Sequence, residues 1–228
     1  MTKVISFVNS KGGAGKTTLA YCLGTLWDVW KQHVLLIDTD PQASLSAFFG
    51  VRQGKGNMEA MQISLAKLEG RLVRERDSGD HDIILIDTPG NLAELRPAIA
   101  LADLVVIPVQ ASGADYFSFK RVFNAIQAAG TRALLVPNRI KTPRDAESIV
   151  LALGSLSEGG AEISGPIGDR VNHRQYTVEG LSLTDVEVRS TSPGFKEIEA
   201  LATKIEEMLN VQKQEPASSG PSAGVAGS

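Results

Sequence analysis

Nine residues into the chain a glycine-rich turn separates an apolar, β-branched run from a helix-length amphipathic stretch: "VISFV" (4–8), "SKGGAGKTT" (10–18), then "LAYCLGTLWDVWK" (19–31). A strand that must become a helix through so short a loop leaves few architectures open. Gly12, Gly13 and Gly15 let successive backbone amides turn inward around an anion, and the start of the helix adds its own partial positive charge. Lys16 is expected to reach terminal phosphate oxygens, the Thr17 hydroxyl to ligate magnesium, and Thr18 to contact the inner phosphate. Residues Lys11 to Thr18, Ala14 included, are therefore the expected nucleotide-binding loop. One position departs from the usual glycine, four free residues, then Gly-Lys-Ser/Thr: Ser10 stands where the leading glycine belongs, and a second lysine, Lys11, follows it.

Four more apolar runs continue the pattern, "VLLID" (34–38), "IILID" (83–87), "LVVIPV" (104–109) and "ALLVP" (133–137), with helix-length segments between them. Runs apolar at every position are buried on both faces, which calls for an α/β fold with a doubly wound, mostly parallel sheet flanked by helices; the glycine loop between the first strand and helix makes the expected type a P-loop NTPase. The first helix is expected over 16–31, with Leu19, Leu23, Leu26 and Trp30 turned to the core. Residues 58–78 read as another amphipathic helix with Arg71, Arg74 and Arg76 at a solvated end. "SGAD" (112–115) reads as a capping box ahead of a helix ending near Gly130, and 193–212 as a last helix with Ile198, Leu201, Ile205 and Leu209 on one face. One domain is expected over 1–212. Residues 213–228, rich in Pro, Gly, Ser and Ala, are expected to be a disordered tail.

Bulk properties narrow the class. The net charge of −3 gives no overall electrostatic footprint for nucleic acid. A single cysteine, Cys22, excludes an intrachain disulfide framework and reads as a small buried helix residue. Nothing approaches the ~18 apolar residues of a membrane span, and no leader precedes the loop, so a cytoplasmic protein without membrane attachment is expected.

The ends of the strand runs supply further chemistry. "IDTDPQAS" puts Asp38 and Asp40 just beyond a strand, where ligands of open α/β sheets bind. Asp38 is the candidate for a metal-bound water and Asp40 for orienting the attacking water; alternatively one of the two only caps the short helix after Pro41. "LIDTPG" offers Asp87 as a magnesium-facing acid and Gly90 as an amide near the terminal phosphate, in a segment able to switch. Asn138 in "VPNRI" is the candidate for the base edge, or else a plain loop residue. The acid that guanine requires three positions on is Lys141, so ATP with Mg2+ is the expected cofactor pair.

Taken together, "KGGAGKTT", "DTDPQAS", "IDTPG" and "PNRI" in this order resemble the ParA family of partition ATPases with a deviant Walker A motif, over about residues 2 to 211. The short lead before the loop matches the compact, ParF-like subgroup without an N-terminal helix-turn-helix, as does "IGDRVNHRQYTVEGLSLTD" (167–185). The resemblance implies that Lys11 reaches across an ATP-sandwich homodimer to the partner's phosphates, making Lys11, Lys16 and Asp40 the catalytic set. It also implies nonspecific, nucleoid-associated DNA binding and hydrolysis stimulated by a ParB-like adaptor on a plasmid or other cargo. Arg170, Arg174, Arg189, Lys196 and Lys204 are the candidate DNA contacts, although residues 120–210 hold eleven Lys and Arg against twelve Asp and Glu. Rival readings are a MinD-like membrane switch, a positioner of carboxysomes or chemoreceptor arrays, and metabolic relatives. The Ser/Gly/Ala tail speaks against the membrane switch, and one cysteine against a shared iron–sulfur cluster of the nitrogenase reductase kind.

Overall fold

The computed structural model describes residues 1–54, 56–110, 116–157, 159–170, 172–187 and 191–210. The 112–115 capping pattern, Arg189 and the tail lie outside them, and the side chain of Arg174 is likewise not described. In chain order the elements are β1 (Lys3–Phe7), α1 (Lys16–Val29), β2 (Val34–Asp38), α2 (Ser44–Val51), β3 (Met58–Gln62), α3 (Leu68–Ser78), β4 (Ile83–Asp87) and α4 (Leu92–Ala100). There follow β5 (Leu104–Val109), α5 (Tyr116–Ala129), β6 (Ala133–Pro137), α6 (Pro143–Ser157), β7 (Glu162–Ile163), α7 (Asn172–Val178), α8 (Leu183–Val186) and α9 (Pro193–Asn210).

The strands form one sheet in the order β3-β2-β4-β1-β5-β6-β7, and every pairing is parallel. Alternate side chains divide between two layers, as the period of two in a strand requires. Ile5, Phe7, Leu36, Leu85 and Val106 pack under α1, α2, α8 and α9, while Val4, Leu35, Ile84, Val105 and Ile107 face α3, α4, α5 and α6. Covering on both faces is the reason these runs carry no polar alternation. Cys22 sits in the first layer, and burial pushes its thiol up to about 12.

Several expectations need correction. β1 begins one residue earlier than read, and α1 ends at Val29, where Trp30 caps it and Lys31 turns the chain back through a left-handed φ of 66°. Residues 58–62 are strand, not helix. They pair with β2 from Val34↔Met58 to Asp38↔Gln62 at the sheet edge, and the helix starts only at Leu68 after a 3-10 turn at Leu65–Lys67. Tertiary pairing overrides the local helical preference of Met-Glu-Ala-Met-Gln. Nor is the end of α3 simply solvated: Arg71 pairs with the buried Glu75, and Arg76 reaches Asp103 at 3.2 Å, leaving Arg74 exposed.

Candidate nucleotide site

β1, β2, β4, β5 and β6 run the same way, so the loops that follow them leave from one end of the sheet, and every sequence-predicted phosphate or metal ligand lies on those loops or on the strand and helix ends that flank them. The loop after β1 is held in shape by side-chain amides from three strand ends. Asn9 donates to Pro108 O at 2.6 Å and accepts from Lys11 N at 2.8 Å; Gln110 donates to Gly13 O at 2.7 Å; Asn138 donates to Ala14 O at 2.7 Å. Gly15 has φ 103°, and a Cβ there would stand 2.1 Å from Asn138 Nδ2, so only glycine permits this approach. Asn138, assigned to the base edge from sequence, is placed here as a tether of the loop, with its Nδ2 committed to the backbone. Asn9 and Gln110 were missed, because neither has a local signature. Asn138→Ala is expected to weaken nucleotide affinity about tenfold, the loss of one buried hydrogen bond that orders the loop, as measured by calorimetric titration; an unchanged affinity would remove this role.

Lys16 opens α1 and is 7% exposed; burial lowers its pKa, while Asp87 and Asp40 pull it back up. Asp87 ends β4 at 1% exposure. Thr17 Oγ1 donates to its Oδ2 at 2.6 Å, and its Oδ1 is buried without a hydrogen-bond partner. Burial pushes this carboxyl up to about 7, against the Thr17 hydrogen bond and the Lys16 charge, with Asp38 and Asp40 adding repulsion. The neighbouring loops are laced to it, since Thr39 donates through both N and Oγ1 to Asp87 O, at 3.0 and 2.7 Å.

Of the two acids at the end of β2, Asp38 is the one that caps. Its Oδ2 accepts from Ser46 N, third residue of α2, at 2.9 Å, and its Oδ1 from Asp40 N at 3.1 Å; burial raises its pKa while those amides hold it down. Asp40 stands at the half-exposed mouth and spends one oxygen on Gln42 N at 2.9 Å. Gly90 packs onto the phosphate loop, its Cβ position 3.6 Å from Ser10 O and 3.7 Å from Gly12 N.

Beside the loop a cleft of about 220 Å³ is lined by Lys16, Thr18, Asn138, Arg139, Asp169 and Arg170. Two ion pairs frame it, Arg139–Asp169 at 3.2 Å and Arg170–Glu197 at 2.5 Å. Arg170 thus forms part of the cleft wall, and its partner Glu197 lies next to Lys196 on α9. Lys204 pairs with Glu162 at 2.5 Å, and Lys196 is exposed on the first turn of α9, with Glu199 and Glu207 between and beyond them.

Among the described residues no cluster of three or more His, Cys, Asp or Glu gathers as a metal cage. Magnesium does not require one, since it keeps waters and takes phosphate oxygens alongside one or two protein ligands. The orphaned Asp87 oxygen, the Thr17 hydroxyl beside it and the nearby Asp38 are a hard-oxygen donor set that fits that ion.

Comparison with known proteins points to a nucleotide-binding family. Residues 5–183 match the CobQ/CobB/MinD/ParA nucleotide-binding domain. The chain belongs to this family of P-loop ATPases. It is 30% identical over 187 residues to the maintenance of carboxysome distribution protein A of Gloeobacter kilaueensis, a match covering 79% of this chain and 83% of that protein. It is 32% identical over 148 residues to the chromosome-partitioning ATPase Soj of Thermus thermophilus, covering 52% of this chain and 57% of Soj. In fold it is similar to the septum site-determining protein MinD of Pyrococcus horikoshii, solved with Mg-ADP: TM-score 0.77, 21% identity, 93% of this chain and 99% of that one. Among the described residues of this family member, no helix is long and apolar enough to cross a membrane.

Proposed function

We propose that this ParA/MinD-family protein is a magnesium-dependent ATPase that closes into an ATP-sandwich homodimer and uses nonspecific DNA of the nucleoid as a track. A cargo-bound adaptor stimulates hydrolysis, and the cycle distributes a plasmid or another large cargo in the cytoplasm. The observation that carries the reading is the Thr17–Asp87 pair with its unpartnered oxygen, set beside the buried Lys16 at the head of a pre-formed glycine loop. Burial leaves cation and carboxylate each short of solvation, and a nucleotide phosphate with its metal supplies what both lack.

Each residue then has one task. The amides of Gly12 to Lys16 cradle the phosphates, Lys16 neutralises their terminal oxygens, and Thr18 holds the inner phosphate. Thr17, Asp87 and Asp38 hold Mg2+, which offsets charge on the transferred group. Asp40, half exposed at the mouth, orients the attacking water, and Lys11 serves the partner's phosphates. Adenine takes the cleft between Asn138 and Arg170. A protein cargo is the second reading, favoured by the match to the carboxysome distribution protein, which spans most of both chains.

Phosphate release is expected to rise when DNA and the true adaptor are both present, and flat turnover under those conditions overturns the proposal. Asp40→Ala is expected to cut turnover about a hundredfold, the scale of losing one positioned group, with ATP binding retained. Single-turnover phosphate release beside a binding isotherm reads both, and undiminished turnover would take the water-orienting task from Asp40.

A further inference from the structure

Asp40 is carried on a segment held at one end only by its neighbours. The loop 40–43 closes with Ala43 N donating to Asp40 O at 2.9 Å, and Ala43 itself is left-handed, φ 53°, a conformation that a side chain disfavours. Such a residue persists where the surroundings fix it from both sides. On the near side Asp38 caps α2 through Ser46. On the far side Arg52 is the C-cap of α2, about 12 Å along the axis from Ser44 at 1.5 Å per residue. Leu45 and Phe49 bury the inner face of the helix, yet apolar contact is non-directional and does not set its rotation or its advance along its axis.

Arg52 supplies the directional hold. It is 8% exposed, and its two terminal nitrogens donate to the two oxygens of Asp185 at 2.7 and 2.6 Å, a fork-to-fork contact, with Gly180 O at 3.3 Å from one of them. Gly180 has φ 70°, and a Cβ there would lie 2.4 Å from Arg52 N, so the two backbones meet only because this residue is glycine. Asp185 is fixed in turn: it completes the capping box of α8 by accepting from Ser182 N at 2.7 Å. α8 is tied to α1 by three buried hydroxyls, Thr25 with Ser182 at 2.6 Å, Thr25 with Thr184 at 2.8 Å and Ser182 with Thr184 at 2.7 Å. Tyr21, also on α1, donates to Gly180 O at 2.5 Å. Because α1 begins at Lys16 and Thr17, the contacts form a closed ring: phosphate loop, α1, α8, Asp185, Arg52, α2, Asp38, then through Thr39 and Asp87 back to Thr17.

We propose that the Arg52–Asp185 pair is a positioning device that closes this ring and sets Asp40 against the phosphate loop. The inference rests on the assignment of Asp40 above, but its first readout does not. In the nucleotide-free full chain, amides of 39–47 are expected to exchange at least about tenfold faster in Asp185→Asn and Arg52→Lys than in wild type, with amides of 12–19 unchanged. In steady-state assays kcat is expected to fall about tenfold with the dissociation constant for ATP within twofold, the mark of lost transition-state positioning with ground-state binding intact. Arg52→Ala is the stronger variant; should it not fold, Asp185→Asn decides, because an amide keeps the shape and still accepts from Ser182 N. Unchanged exchange over 39–47, a loss of protection shared equally by 12–19, or full kcat in a variant whose 39–47 segment has loosened each overturns the device. If Asp40→Ala leaves turnover intact, the assignment of Asp40 has failed instead, and the exchange experiment still decides whether the pair holds α2.

Discussion

Replacing Asp87 by asparagine is expected to lower ATP turnover about a thousandfold or more and to remove a pH dependence from the stability of the nucleotide-free protein. The first effect follows from charge. Thr17 and the buried carboxylate are the donor set that suits magnesium, and an amide in place of the carboxylate removes the anion from that set. The second follows from burial. In the folded chain this acid titrates near 7, whereas in the unfolded chain it titrates in the ordinary carboxylate range near 3.8. Between those values the folded state holds a proton that the unfolded state has released, so stability falls as pH rises through that window and levels off above about 7. At roughly 1.4 kcal/mol per unit the total is of the order of a few kcal/mol. The variant lacks this slope. Its new amide NH2 occupies the position of the orphaned oxygen, a cost that does not vary with pH, so the slope and not the absolute melting temperature is the readout. Thermal unfolding of both proteins from pH 4 to 9 without nucleotide measures it; parallel curves, or turnover within tenfold of wild type, contradict the account. A site that destabilises its own empty state by opposing burial and charge is one that a phosphate and its metal relax.

What could be read from the sequence was local or doubly buried. The runs at 34–38, 83–87, 104–109 and 133–137 are strands with those bounds, because a parallel strand covered on both faces is apolar at every position and offers no competing reading. The strand at 58–62 was illegible for the opposite reason: at the sheet edge, with Glu59 and Gln62 exposed, its residues have little strand preference, and pairing with β2 decides its form. The phosphate loop was legible because its glycines, lysine and threonines are contiguous. Its supports were not. Gln110 lies 97 residues from Gly13, Asn138 lies 124 from Ala14, and Asp185 lies 133 from Arg52, and nothing in a side-chain amide or carboxylate marks so distant a partner. The same distance effect explains why Asp38 and Asp40, identical in local pattern, could not be sorted into cap and mouth, and why Arg170 could not be matched to Glu197 on the last helix.

Removing the side chain of Lys11 is expected to raise the dissociation constant of the ATP-bound dimer at least about a hundredfold while leaving ATP affinity of the monomer within severalfold. The two lysines of the loop differ in place. Lys16 is buried at the start of α1, among the acids of its own site. Lys11 is half-exposed at the loop's outer turn, its backbone N held by Asn9 Oδ1 at 2.8 Å, next to the Gly12 amide against which Gly90 packs. A second cation there adds little to a phosphate that Lys16 and the loop amides already neutralise. It matters when two triphosphates face each other, where like charges ~4 Å apart repel by about 4 kcal/mol at the effective dielectric of a protein surface. In a two-fold symmetric pair each substitution is made twice, so even ~1.4 kcal/mol per lysine, tenfold in affinity, compounds to a hundredfold. Lys11→Arg keeps the charge on a planar, less compact head and is expected to restore dimerisation in part. Sedimentation velocity with Mg-ATP, in an Asp40→Ala background that slows hydrolysis, separates the cases: a dimer as stable without Lys11 as with it would take the ammonium group out of the interface. A parallel loss of monomer binding would return Lys11 to its own loop, with no part in the partner's.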